Sequence, residues 1–306
     1  MNDDPGFATF EDVGTPERDR PPFVRPPEPA KLFAARAERF AALAPGHQLE
    51  AYLGFLAGLS RAQAALAGTI GAPALPSPHE IRLRAANAMP ALPREELATD
   101  PAVSEAFDRL AALLADVAMP DIARAALARA VAAEPGARQA MFAAVLADAV
   151  PVEAVAEHIF TAAALQVVAA RRSALLDPAL PQPVADGVCP CCGGPPVASA
   201  VVADLHVEGV RYVQCSLCAA QWNHVRVKCV TCGSTKGIAY QEIDGIADTI
   251  KAETCDECRT YVKILNRRKA PELEPVADDV ASLGLDLLVT EAGWRRAGVN
   301  PFLLGY

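Results

Sequence analysis

The sequence predicts a multidomain fold of the α plus small β class: an all-α helical N-terminal domain, two small tandem modules with four paired cysteines each, and a C-terminal helical tail. Three observations lead to this prediction. All nine cysteines of the 306-residue chain fall between Cys189 and Cys258. The residues before them are rich in Ala and Leu, which favour helices, and repeat apolar positions at steps of three and four. Short β-type runs with glycine turns lie between the cysteine pairs.

Composition and charge disfavour several classes of protein. Hydrophobic residues make up 52% of the chain and charged residues 21%, as in ordinary folded proteins. The net charge of −9 disfavours a dedicated nucleic-acid binder, which needs clustered Lys and Arg. The acidic first residues do not resemble a signal peptide. The apolar run 159–170 is too short for a membrane span. We therefore expect a soluble, cytoplasmic protein with no membrane insertion.

Prolines mark the start of the helical domain. Residues 1–28 are Pro-rich and charged, and we expect an extended N-terminal arm. The α-helical domain is predicted to cover 29–180. Its first helix begins near Pro29 and stops at Pro45, and the apolar spacing over 52–70 predicts a second, amphipathic helix.

The remaining helices of this domain follow the same rule. Prolines break the helical pattern between 71 and 93, and the pattern returns over 103–117. Pro120, Pro135 and Pro151 each stand where a new helix would begin, since proline is tolerated in a first turn. These segments predict six or seven helices.

After a proline-containing linker that ends at Gly187, the pattern changes to strands. Four runs are predicted as strands: 197–203, 207–213, 238–243 and 250–254. We place the first four-cysteine module at 185–226 and the second at 227–268. Helical spacing returns in the remaining residues, 269–306, which we expect to form a tail that packs on the helical domain.

Eight of the nine cysteines occur in CxxC pairs. These are Cys189, Cys192, Cys215, Cys218, Cys229, Cys232, Cys255 and Cys258. Each of the first four has a counterpart 40 positions later, and the spacer inside both modules is 22 residues long. This equality indicates an internal duplication of one small module.

The spacing of the pairs favours metal binding. Two residues between cysteines let a tight turn direct both sulfurs at one ion. Gly193 and Gly233, which follow the opening pairs, permit the positive φ of such turns. The spacer is long enough for a β-hairpin that returns the second pair to the first. We therefore expect two closed tetrahedral sites, which could hold iron or zinc.

The CxxC pairs have two alternative interpretations. Redox-active CxxC pairs of the thioredoxin type lack their βαβ context here and would not explain the duplicated spacing. An interleaved arrangement, in which pairs from different modules share one ion, stays open.

Other polar residues near the modules have less specific interpretations. Cys191, between two expected ligands, is interpreted as a solvent-facing thiol, with substitution for a ligand as the alternative. His206, in the expected first hairpin turn, and His224, between the modules, are interpreted as histidines at or near the surface rather than as metal ligands. The basic run 263–269 is interpreted as a solvated face, although contact with RNA or an acidic partner stays open.

Around the cysteines the sequence resembles the bacterial formate dehydrogenase accessory protein family, FdhE. The resemblance is carried by Cys-Pro-x-Cys-Gly at 189–193, Cys-Ser-Leu-Cys at 215–218 followed by Trp222, Val-Arg-Val-Lys-Cys at 225–229 and Ala-Glu-Thr-Cys-Asp at 252–256. It extends to Ala-Pro-Gly-His at 44–47 and Asn-Pro-Phe at 300–302. Cys191 and the insertion of Asn223 before His224 depart from the family pattern.

The resemblance implies two rubredoxin-like or zinc-ribbon-like Cys₄ modules, with the eight paired cysteines as ligands of two iron ions. It also implies a cytoplasmic protein that is not itself an enzyme. Such a protein would help to produce active respiratory formate dehydrogenase by contacting its catalytic subunit before export.

The alternative function is a zinc-ribbon protein that contacts nucleic acid or the transcription or translation machinery. A charge balance of only +2 across 189–269, with few aromatics for base stacking, weighs against it. An independent enzyme is disfavoured because the chain has no P-loop, GxGxxG, GxSxG or HExxH motif.

Overall fold

The computed structural model describes residues 21–303 except residue 72 and the segments 204–208 and 244–247. Seven helices come first, then most of the strands, then two short helices, and this order confirms the fold class predicted from the sequence. The helices are α1 Pro29–Leu43, α2 Glu50–Thr69, α3 Pro78–Ala86, α4 Pro101–Leu113, α5 Asp121–Ala132, α6 Pro135–Leu146, α7 Val155–Ala174, α8 Pro275–Ala281 and α9 Leu283–Glu291.

Prolines begin most of these helices, as the sequence predicted. Proline occupies the first turn of α1, α4 and α6, and α5 starts directly after Pro120. Their apolar faces converge on α7, which packs against α2, α4, α5 and α6. Nearly every side chain of α7 from Phe160 to Ala170 is buried, so α7 is the central helix of the domain.

α7 is longer than its apolar run suggested. With the 3₁₀ turn that precedes it, the helix extends over Val152–Ala174, and it is the one helix in the described part of the chain that is long and apolar enough to cross a membrane. However, 61% of its most apolar stretch is buried inside the protein. It is therefore packed as a core helix.

α3 lies in a region where the prolines predicted only a break in the helical pattern. Ser77 and Glu80 form a capping box: the Ser77 hydroxyl accepts from the Glu80 amide, and the Glu80 carboxylate accepts from the Ser77 amide. Pro78 fits the first turn of this helix. A proline directly after the Ser of a Ser-x-x-Glu motif therefore marks the start of a helix here and not a break.

Within the described residues the strands form one eight-stranded sheet. Its strands are β1 Val24–Arg25, β2 Pro196–Val202, β3 Val210–Cys215, β4 Gln221–Asn223, β5 Ile238–Gln241, β6 Ile250–Cys255, β7 Thr260–Asn266 and β8 Arg295–Arg296. The order across the sheet is β1-β4-β3-β2-β7-β6-β5, with β8 also paired to β7.

The sheet contains two copies of a three-stranded antiparallel unit, β2-β3-β4 and β5-β6-β7. β6 begins and ends 40 positions after β3, which confirms the duplication seen in the cysteine spacing. The two predicted hairpins are present, but each carries a third strand that was not predicted. β4 has only three residues, and β7 mixes Lys and Thr with its apolar residues, so neither has a strong β pattern.

The two units are continuous in space. β2 pairs with β7 in parallel, with Ser199 opposite Ile264. Arg211 on β3 also reaches Glu253 on β6, and this ion pair, at 2.8 Å, is almost fully buried. The modules therefore share one sheet and one charged contact in its interior.

Both ends of the chain pack onto this framework. β1, from the segment expected to be an extended arm, pairs with β4, while residues 1–20 of that arm lie outside the described residues. At the other end the Tyr52 hydroxyl donates to the carbonyl of Phe302, whose ring lies against Phe40. The C-terminal segment thus contacts α1 and α2 through Phe302.

The basic run 263–269 is not wholly a solvated face, so that interpretation is wrong for its first residue. Lys263 is fully buried, because β7 carries its side chain beneath α8 and α9. Its Nζ donates to the carbonyl of Asp279 at 2.8 Å and to Ser282, and pairs with the carboxylates of Asp279 and Asp286. Arg296 joins the same carboxylates from β8.

We expect Lys263→Met to lower the free energy of unfolding by about 3–5 kcal/mol, because removal of one partner leaves buried carboxylates with less compensating charge. Lys269→Met is the matched control, since its pair with Asp248 is exposed on both sides and should contribute little to stability. Urea unfolding followed by circular dichroism measures both changes. Equal losses in the two variants would contradict the buried role of Lys263.

Candidate metal centre

The structure brings the eight paired cysteines together as two clusters. The first cluster consists of Cys189, Cys192, Cys215 and Cys218, and the second of Cys229, Cys232, Cys255 and Cys258. In each cluster all four sulfurs lie within 4.8 Å of one another. The pairs are grouped by module, and the interleaved arrangement left open by the sequence is not the one seen.

The opening turn of each cluster has the same backbone geometry. The amide of Gly193 donates to the carbonyl of Cys189 at 2.9 Å, and that of Gly233 to Cys229 at 3.1 Å. Both glycines have a positive φ, +77° and +73°. Because L side chains rarely adopt this conformation, glycine at these two positions fixes the turn that directs two sulfurs to one side.

The closing turns also match. Ala219 and Arg259, each directly after the last cysteine of its cluster, both have a positive φ. One backbone amide also points at a sulfur in each cluster. In the closing turn of the first cluster the Leu217 amide points at the Cys215 Sγ, and in the opening turn of the second the Thr231 amide points at the Cys229 Sγ, each at 3.4 Å. Such amides stabilise negative charge on a thiolate.

The distances between the sulfurs suit a metal ion bound by four ligands in a tetrahedral arrangement. A metal–sulfur bond of about 2.3 Å places the sulfurs of a tetrahedral site about 3.8 Å apart. The Sγ–Sγ distances are 3.7 Å for Cys189–Cys218 and 3.5 Å for Cys192–Cys215 in the first cluster. They are 3.8 Å for both Cys229–Cys258 and Cys232–Cys255 in the second. Each cluster could therefore hold one metal ion.

Burial opposes the ionisation of three of these thiols. It raises the pKa of the Cys189 and Cys218 thiols well above their ordinary value, and that of Cys229 to about 12. A bound cation would balance the thiolate charge, and each thiol would release its proton on binding. Metal retention should therefore weaken as the pH falls.

The helical domain covers the first cluster. The amides of Ala91 and Leu92 donate to the carbonyls of Pro190 and Cys191, at 3.0 and 2.7 Å, so the opening turn is held against the chain that follows α3. On the other side the Gln166 amide, on α7, donates to the carbonyl of Ser216 at 2.7 Å. Gln166 in turn accepts from Gln63 on α2.

Cys191 is buried, with 1% of its surface exposed, so the interpretation as a solvent-facing thiol is wrong. The reason is the contact between its turn and Leu92, which closes this face of the module. Its sulfur is not one of the four that lie together in the first cluster.

His224 lies in the connection between the modules and is half-buried. Its Nε2 donates to the carbonyl of Lys228 at 3.1 Å, and burial lowers the pKa of the ring. This hydrogen bond holds the segment before Cys229 in place. His224 lies outside both sulfur clusters. His206 falls outside the described residues.

Arg211 is the residue near the site that sequence reasoning missed. Its Nη1 donates to the carbonyls of Arg226 and Lys228, and its Nη2 to Ser199 and Glu253. The first module thus fixes the segment that leads into the second cluster. The sequence signal for this role is an arginine among apolar strand residues. Such an arginine is expected to be buried, and a buried charge requires a partner.

Comparison with known proteins gives consistent results. Three family models match: "FdhE, N-terminal" at 21–186, "FdhE, central domain" at 188–226 and "FdhE, C-terminal domain" at 227–303. The chain is 45% identical to a protein FdhE homolog of Rhizobium meliloti (strain 1021), over 93% of this chain and 94% of that protein. It is 37% identical to the homolog of Stutzerimonas stutzeri (strain A1501), over 93% of both.

A solved structure shares the fold. The crystal structure of the FdhE protein from Pseudomonas aeruginosa matches with a TM-score of 0.81 and 34% identity, over 93% of this chain and 99% of that chain. The similarity therefore covers the helices, the sheet and both cysteine clusters together.

Proposed function

Since the chain belongs to the FdhE family, we propose that it is a cytoplasmic accessory protein needed for active respiratory formate dehydrogenase. In this proposal it contacts the catalytic subunit of the dehydrogenase before export. The observation that carries the proposal is the pair of four-cysteine clusters, held in a fold that matches FdhE proteins over nearly the whole chain.

The eight paired cysteines are the proposed ligands, with one iron ion in each cluster. Four thiolates at these separations suit iron or zinc equally, and iron is proposed because the sequence resembles FdhE. Bound iron would supply one-electron redox chemistry or a fixed local charge. The protein's own contribution is to hold four sulfurs in place through the glycine turns and the amides that point at them.

We further propose that the protein has no turnover of its own on formate. Four cysteine ligands complete a tetrahedral site, whereas catalytic metal sites keep a position open for water or substrate. The effect of the protein should therefore appear in the activity of its partner.

The surface around the second cluster supports contact with another protein. Val225 and Val227, in the segment that leads into Cys229, are 59% and 65% exposed. Tyr240 on β5 is 48% exposed. Clustered exposed apolar side chains mark many protein-binding surfaces, so we propose these three residues as part of the contact.

Affinity capture tests the partner. Tagged full-length protein from formate-grown cells is expected to retain the catalytic polypeptide of formate dehydrogenase, while a Val225→Asp, Val227→Asp variant retains much less. Leu83→Asp is the matched control, since Leu83 is similarly exposed but lies on α3. Retention of RNA or ribosomal proteins in place of the dehydrogenase would favour the zinc-ribbon alternative.

A further inference from the structure

The two cysteine clusters differ in their exposure to solvent. In the first cluster the cysteines are between 0% and 4% exposed. In the second, Cys229 and Cys255 are equally buried, but Cys258 is partly exposed and Cys232 is exposed. Because the two modules are copies with the same spacing and turns, this difference comes from what packs around each cluster.

Within the part of the chain that the structure describes, the first cluster is enclosed by protein, and its four cysteines are buried. The segment at Ala91 and Leu92 covers its opening turn, and α7 holds its closing turn through Gln166. A Cβ added at Gly194 would meet the sulfurs of Cys215 and Cys192 at 3.0 and 3.4 Å. An incoming ligand could reach these sulfurs only after part of the helical domain moves away.

The second cluster is covered by the linker at its opening turn and by the C-terminal segment at its closing turn, where the Arg295 amide donates to the carbonyl of Arg259 at 2.9 Å. The linker approaches its opening turn at Gly187, close to the backbone of Val230 and Thr231. Asp186 pairs with Lys228 beside this turn. Cys232 is nevertheless exposed, and so are Asp256 and Glu257 in the closing turn.

We propose that the second cluster is an exchangeable metal centre, at which an incoming ligand enters beside Cys232, while the first cluster releases its ion only slowly. This inference rests on the proposed metal binding. The incoming group is a thiolate or a chelating nitrogen or oxygen donor from another molecule. Its lone pair forms the new bond to the ion, the Cys232 sulfur leaves and takes a proton from solvent, and no electron is transferred.

The test uses full-length protein loaded with zinc, which is redox-silent, and the chromogenic chelator 4-(2-pyridylazo)resorcinol. We expect two release phases of equal amplitude, the first at least about tenfold faster because it needs no local unfolding. N-ethylmaleimide added in parallel, with peptide mass spectrometry, should label the cysteines of the second cluster in the fast phase and leave those of the first protected.

A Cys232→Ser variant separates the two centres without disturbing the covered one. It should retain only the slow phase, with half of the total amplitude. Release of both ions at one rate, or earlier labelling of Cys189 and its neighbours, would overturn the inference and leave the proposed metal sites intact. Failure of the wild-type protein to take up zinc would overturn both the inference and the metal-binding part of the proposed function.

Discussion

Deletion of the gene is expected to reduce formate oxidation to background while the dehydrogenase polypeptide remains present. The physical reason is that the proposed accessory role concerns the activity of the partner and not its synthesis. Wild-type protein should restore the activity, and a Cys255→Ser, Cys258→Ser variant should not, because loss of two thiolates opens the second cluster. Activity staining of cell extracts, with an immunoblot of the catalytic subunit, measures both quantities.

The control for this experiment is Cys191→Ala. Cys191 is buried but is not part of either cluster, so this variant should restore formate oxidation. Full restoration by the Cys255→Ser, Cys258→Ser variant would show that the second cluster is dispensable. Unchanged formate oxidation in a deletion strain with no second gene copy would contradict the accessory role.

Loss of the first cluster is expected to have the larger effect on folding. Metal binding by four thiolates contributes on the order of 10 kcal/mol to such modules, which is comparable to the whole stability of a typical domain. The first cluster is also tied to α7 through Gln166 and to the chain after α3 through Leu92. A Cys192→Ser, Cys215→Ser variant should therefore lose helical structure as well as the sheet.

The matched variant carries the equivalent changes 40 positions later, Cys232→Ser and Cys255→Ser. Since the helical domain does not cover the second cluster, this variant should keep its helical circular dichroism and lose only local order. Thermal unfolding monitored at 222 nm compares the two. Equal loss of helix in both variants would contradict the asymmetric coupling of the clusters to the helical domain.

Local sequence signals predicted the helices and cysteine turns well. Pro29, Pro101 and Pro135 each start a helix because proline fits a first turn. Gly193 and Gly233 adopt the positive φ expected of them. The equal spacers favoured the grouping of the cysteines by module, because a hairpin of the same length could close each site, but they left the interleaved arrangement open.

Contacts between distant segments could not be predicted in this way. The parallel pairing of β2 with β7 joins residues 65 positions apart, such as Ser199 and Ile264, and no local pattern specifies such a partner. Lys263 was assigned to a solvated face because its partners, Asp279 and Asp286, lie on helices whose position the sequence does not give. The burial of Cys191 likewise depends on Leu92, about 100 positions earlier.

The most direct test of the account is the metal content of the folded, aerobically purified protein, measured together with its visible spectrum. We expect two metal ions per chain, because each of the two clusters has four sulfurs at tetrahedral separation. If the ions are iron, as proposed from the resemblance to FdhE, the protein should have the red colour of ferric ions bound by four thiolates. One ion per folded chain, with all eight paired cysteines intact, would contradict the two-centre arrangement. A colourless protein with two zinc ions would contradict the proposed iron.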